Sequence, residues 1–232
     1  MTDARSGADR LTSPRHRLAP GRDSGSRERG AALLVAILIV LLLSAAGVAL
    51  LALTSTETLI GASYRHAQEA AYGAEAAFER ALADLETIPD WSAVLRAPPG
   101  NVTSSLNDGV PSPRGPDGRF LDLSALTAVR QRQSDARDGP SAFGADAPQW
   151  RLFAHAPIQE LSSGLPADPP LYLMVWVADD GMDGDGEGES DSNGRVMVFA
   201  QAIGSGGTRR AVEGLIGRHE ALVTVLAWRR VR

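Results

Sequence analysis

From Ala31 to Leu53 the chain runs for 23 residues without a charge, and Ser44 and Gly47 alone interrupt the Ala, Leu, Ile and Val. At 1.5 Å per residue this run makes about 35 Å of helix, enough to cross a hydrocarbon core of about 30 Å. A cleaved secretory signal has an apolar region of only about 7 to 15 residues. The run is too long for that, and the expectation is a transmembrane helix.

Beyond Leu53 the pattern changes but the helix need not. No proline lies between Ala31 and Ile88, and Thr56 to Leu85 is rich in Ala, Glu and Leu, with Gly61 and Gly73 as local exceptions. Ile60, Tyr64, Ala67, Ala71, Ala74, Phe78, Ala81 and Leu85 recur at alternating spacings of four and three, which draws one apolar stripe. Arg65, Glu69, Glu75 and Glu79 lie off that stripe, and Pro89 ends the pattern. One helix over 31–88 is therefore expected, its first part in lipid and its second carrying an apolar face for a protein core.

The remainder reads as a head. Twelve of the 14 prolines fall between Pro89 and Pro170, so 89–170 is expected to be loop-rich. Within it, Asp122 to Gln133 fits a short helix capped by Asp122 or Ser124, and Gln149 to His155 fits a strand with Trp150, Leu152 and Ala154 on one face. Four clearer strands follow: Leu171 to Ala178, Arg195 to Ile203, Arg210 to Gly217 and Ala221 to Trp228. Gly204 to Gly207 reads as a hairpin turn rather than a phosphate loop, because a strand and not a helix follows. Consecutive strands with short turns favour an antiparallel meander over 171–232. The predicted fold is α+β, a long N-terminal helix covering an antiparallel sheet.

Charge adds an orientation. Residues 1–30 hold Arg5, Arg10, Arg15, Arg17, Arg22, Arg27 and Arg29 against four acidic residues, a basic leader that places the N-terminal side in the cytoplasm by the positive-inside rule. The whole chain carries a net charge of −5, so no basic surface invites nucleic acid. All 23 basic residues are arginine, which reads as compositional bias. Cysteine is absent, which excludes disulfides and thiolate metal sites.

Candidate chemistry is sparse. His16, His66, His155 and His219 form no paired metal motif, and no nucleophile elbow, Walker loop or Cys-His arrangement occurs, so the sequence points away from an enzyme. Asn101-Val102-Thr103 is a formal glycosylation sequon. One constellation stands out: Asp179, Asp180, Asp183, Asp185, Glu187, Glu189, Asp191 and Asn193, interleaved with Gly and Ser between two strong strands. Calcium prefers six to eight oxygen ligands, and such a loop can curl to supply several. It is not an EF-hand: Asp183, Asp185, Glu187 and Gly188 match the first half, but the twelfth position is Gly194 where a bidentate Glu belongs. The alternative is a solvated acidic hairpin held open by self-repulsion.

The junction Arg27-Glu28-Arg29-Gly30 before Ala31-Ala32-Leu33-Leu34-Val35 resembles a class III signal, cut between Gly30 and Ala31 by a prepilin peptidase. Together with Thr54-Ser55-Thr56-Glu57-Thr58, Gly61, Tyr64-Arg65, Gln68, Ala70-Ala71 and Ala74-Glu75-Ala76-Ala77, residues 27–85 resemble the N-terminal region of PilX-type minor pilins of type IV pili. The resemblance implies a subunit drawn from the inner membrane, through the pilus assembly platform, into a filament of major and minor pilins. There it would help initiate the filament or tune adhesion and aggregation. Major pilins carry Glu at the fifth mature position, where this chain has Val35. That Glu neutralises a buried α-amino group, a task Val35 cannot perform, so a minor subunit is implied. The type II secretion minor pseudopilin K shares the missing Glu, and residues 89–169 leave little room for the helical subdomain such proteins carry. A membrane-anchored periplasmic sensor or enzyme is the reading from another class, and it would keep its N-terminal tail.

Overall fold

The computed structural model describes residues 24–98, 104–139, 142–161, 170–220 and 222–231, with side chains in the first helix from residue 30 onward. Most of the basic leader and the sequon at Asn101 lie outside the described residues. The chain divides into two units, Met1–Glu57 and Thr58–Arg232.

In the first unit the backbone is helical from Ser24, seven residues before the expected start, and this helix, α1, spans Ser24–Thr87. Its apolar side chains are exposed throughout, from Leu33 (63%) to Leu53 (61%). Among the described residues this is the one helix long and apolar enough to cross a membrane. Water is a poor solvent for so much contiguous apolar surface. Where the apolar run ends, the hydroxyls of Thr54, Ser55 and Thr56 donate to the carbonyls of Leu50, Leu51 and Ala52 at 2.9–3.0 Å, so these polar groups are satisfied inside the helix.

The second unit is built on a five-stranded antiparallel sheet in sequence order: β1 (Arg151–Pro157), β2 (Tyr172–Asp179), β3 (Arg195–Ile203), β4 (Arg209–His219) and β5 (Leu222–Val231). All four later strands lie where the alternation predicts, and the Gly204 turn joins β3 to β4 with Gly204 N–H donating to Thr208 O at 2.8 Å. The meander is longer than expected, because β1 pairs with β2 and brings part of the loop-rich region into the sheet.

The α+β plan is as the sequence predicts, with α1 packed on one face of this sheet. Ala70, Ala74, Ala77, Phe78, Ala81 and Leu85 share a core with Leu173, Val175 and Val177 of β2, Val198 of β3 and Ile216 of β4. The buried face begins later than the predicted stripe: Ile60 (64%) and Tyr64 (65%) are exposed, and Ala70 and Ala77 are buried in addition. Ala67 is half-buried, and Tyr64 and Ala67 line an open cleft with Arg210, Val212 and Val231 at the edge of β4 and β5. Small residues let the helix sit close. A Cβ at Gly73 would come within 2.8 Å of Leu171 Cδ1, and one at Gly214 would come within 2.6 Å of Phe78 Cζ.

The other face carries a second helix, α3 (Leu123–Asp138), which starts at the Asp122 cap as expected, with Asp122 accepting from Ala125 N at 2.9 Å, and runs five residues further. It covers Trp150, Tyr172, Met174, Trp176 and Phe199. The β2 strand is therefore buried on both sides, its alternate residues feeding two cores. Trp150 and Leu152 share the α3 face as predicted, but Ala154 does not. A β-bulge between Leu152 and Ala154 shifts the register and turns Phe153 and Ala154 together toward the α1 core.

Two arginines close the head. Arg218 of β4 donates to Leu85 O, Ile88 O and Pro89 O at 2.6–2.7 Å and stacks on Trp91, supplying donors and a cation to carbonyls that end α1. Trp91 lies just before the four-residue helix α2 (Ser92–Leu95). Arg130 of α3 is buried between the rings of Trp150 and Phe199 and pairs with Glu213 Oε2 at 2.8 Å, while Arg137 and Arg229 share Oε1.

Replacing Gly214 by Val should destabilise the head by about 1–3 kcal/mol, because the new side chain must push Phe78 or the Ala227 carbonyl aside. Thermal unfolding of the full chain in detergent measures this, and the combined loss of Gly214→Val with Phe78→Ala should be smaller than the sum of the two single losses.

Candidate metal centre

The acidic segment joins the end of β2 to the start of β3. Its glycines 181, 184, 186 and 194 take positive φ, which lets the loop double back instead of extending as an open hairpin. It is pinned from outside at three places. Gly186 N–H donates to Asp146 Oδ1 at 2.5 Å, Gly188 N–H donates to Ala145 O at 3.1 Å, and the Ser92 hydroxyl exchanges hydrogen bonds with the Asp191 backbone at 3.1–3.2 Å. Gly188 sits so close to the 145–147 segment that a Cβ there would lie 2.5 Å from Ala147 O.

Three of the eight candidate residues converge. Asp179, Asp183 and Asp191 each present a carboxylate oxygen within 4.8 Å of the others. The remaining five are occupied elsewhere or point away. Asp180 Oδ1 accepts from Met182 N–H and Asn193 Nδ2, both at 3.2 Å. Asp185 accepts from Glu187 N–H at 2.8 Å in a local turn, Glu187 is exposed, and Glu189 pairs with Arg151. The half-match to an EF-hand thus contributes Asp183 alone.

The trio is unequal. Asp183 accepts from Ser192 N–H at 2.6 Å and the Ser192 hydroxyl at 2.5 Å, and Asp191 Oδ1 accepts from Gly194 and Arg195 N–H at 2.7 and 3.0 Å. These bonds fix two carboxylates from within the loop. Asp179, the last residue of β2, is fully buried and neither of its oxygens accepts a hydrogen bond. Burial pushes its carboxyl up to about 7; the adjacent Asp180 backbone N–H pulls the other way, and the neighbouring carboxylates of Asp183, Asp180 and Asp191 add to the rise. Burial also raises the Asp191 carboxyl, against the pull of its backbone donors. No salt bridge among the described residues reaches Asp179, Asp183 or Asp191. Chemically this is a small cluster of hard oxygen donors, one buried and two partly exposed, with no cationic side chain paired to it.

The signal residues lie on α1. Gly30 is helical with open space around it, and Ala31 and Val35 are exposed. Among the described residues the histidines form no metal-binding group: His66 is half-buried, His219 is exposed and His155 is buried, while His16 lies outside the described residues.

His155 belongs to a cluster that sequence reasoning missed, since its members come from three separate segments. Tyr172 donates to Asp108 Oδ2 at 2.8 Å, so the Tyr172 oxygen is left to accept from His155 Nδ1 at 2.8 Å. Burial holds the imidazole below its ordinary value, and the Asp108 carboxylate 3.3 Å away offsets part of that shift. A histidine kept neutral by the fold contributes stability above pH 6.5 that is lost as pH falls below it. Accordingly, the melting-temperature advantage of the unaltered chain over His155→Gln should be largest near pH 7.5 and shrink toward pH 5.5.

No family model matches the chain, and no curated protein or solved structure is significantly similar to it.

Proposed function

We propose that this chain is a minor pilin-like structural subunit of a type IV pilus, made as a single-span inner-membrane precursor with its N-terminus cytoplasmic and its head periplasmic. The observation that carries the reading is the single helix Ser24–Thr87, whose residues 31–53 are apolar and wholly exposed while residues 70–85 are built into an antiparallel head. A bilayer and a bundle of like helices both satisfy such a surface. Transfer from one to the other therefore exposes little of it to water. The head then fills the role of a displayed domain, helping to initiate the filament or to modulate adhesion and aggregation.

Gly30 and Ala31 flank the bond that a prepilin peptidase would cut, and their exposure suits access. Val35 at the fifth mature position leaves the subunit unable to neutralise a neighbour's α-amino group, which suits a sparse subunit next to major and other minor pilins rather than a repeating one. The inner-membrane assembly platform is the remaining partner implied. The exposed Ile60 and Tyr64, off the head's core, extend the apolar surface available to neighbouring helices.

Mass spectrometry of the chain produced together with a prepilin peptidase tests this directly. The expected mature chain begins at Ala31, and Gly30→Leu retains the leader. A wild-type chain that keeps its N-terminal tail in the presence of active peptidase overturns the proposal in favour of a membrane-anchored periplasmic domain.

A further inference from the structure

We propose that Asp179, Asp183 and Asp191 form a calcium site that locks the acidic β2–β3 loop onto the head. The buried carboxylate of Asp179 carries the argument: it is removed from water, accepts no hydrogen bond, and faces two further carboxylates. A buried carboxylate needs a proton or a cation beside it, and the described residues supply no cation. A bound cation supplies the missing charge at the point where the three oxygens meet.

The donor set selects the ion. All three ligands are carboxylate oxygens, and no histidine belongs to the group, which favours a hard cation over zinc or copper. Oxygens facing each other across calcium, at about 2.3–2.6 Å each, lie about 4.6–5.2 Å apart, whereas across magnesium they lie about 4.0–4.2 Å apart. The three oxygens lie within 4.8 Å of one another, close enough for one ion to touch all three. Three carboxylates also exceed the one or two that magnesium usually takes from protein. Backbone carbonyls of a glycine-rich loop and water complete six to eight ligands.

The site joins distant parts of the chain. Asp179 ends the central strand, Asp183 opens the loop, and Asp191 closes it while holding Ser92 of α2 through its backbone. Loading the site therefore fixes both limbs of the loop at once. The inference does not depend on the filament reading, and its test does not involve the N-terminus.

The full chain in detergent is stripped with EDTA, and its thermal unfolding is followed against CaCl2 and, separately, MgCl2. Calcium at ~10 mM should raise the melting temperature by about 4 °C or more, half-saturating at about 0.1–1 mM. Asp179→Asn and Asp183→Asn should each abolish the rise. Asp179→Asn should also melt in EDTA at or above the unaltered chain, because it removes a buried repulsion. Glu187→Gln, in the same loop but outside the trio, should keep the full response. The proposal is overturned by no rise at ~10 mM calcium, by a rise that survives Asp179→Asn, or by an equal rise with magnesium.

Discussion

The close approach of α1 to the sheet sets the terms for the rest of the head. Phe78 lies over Gly214, Gly73 lies against Leu171, and the alanines at 70, 74, 77 and 81 keep the helix surface flat between them. A helix that near leaves little space on its contact face, where Phe78 and Leu85 are the large side chains, and most of the apolar bulk comes from the strands: Leu173, Val175, Val177, Val198 and Ile216. Burial of that kind contributes roughly 25 cal/mol per Å² of apolar surface, and it requires that the small residues stay small. Arg218 then fixes where the contact ends by binding three carbonyls at the C-terminus of α1.

Buried charge in the head follows one rule with one exception. Arg130 lies between two aromatic rings and against Glu213, and Glu213 is shared with Arg137 and Arg229. Desolvation lowers the Arg130 guanidinium to about 10, still well within its charged range, and the Glu213 carboxylate opposes the shift. Tyr172 hands its proton toward Asp108 and leaves His155 neutral. Each of these groups has a partner. Asp179 has none, and it sits where two other carboxylates point. The α3 face thus carries arginines paired with a shared carboxylate, whereas the carboxylate at the end of β2 has no cationic side chain paired to it.

The two parts of α1 answer to different solvents. Residues 31–53 have an apolar side chain in almost every direction, as a helix surrounded by lipid or by other helices requires. From Ala70 onward one face alone is apolar, because one side meets the sheet and the other meets water. Between them, hydroxyls bonded back to the helix at Thr54–Thr56 carry the chain from one environment to the next without an unsatisfied group.

Local pattern was enough for the elements. The uncharged run made a membrane-length helix legible, the alternation over 171–232 located four strands to within three residues at each end, and Asp122, one of two candidate caps, starts α3, because periodicity and capping act over a few residues. It was not enough for what those elements meet. That α3 covers the far face, that a bulge at Leu152–Ala154 turns Ala154 to the opposite core, and that Ile60 and Tyr64 stay outside the core are settled by distances between segments far apart in the chain. The acidic loop divides in the same way. Composition singled out eight oxygen-bearing residues, but the ladder that buries Asp179 and the turns that aim Asp183 and Asp191 at it chose three, since convergence depends on backbone direction and burial, which spacing in a sequence does not encode.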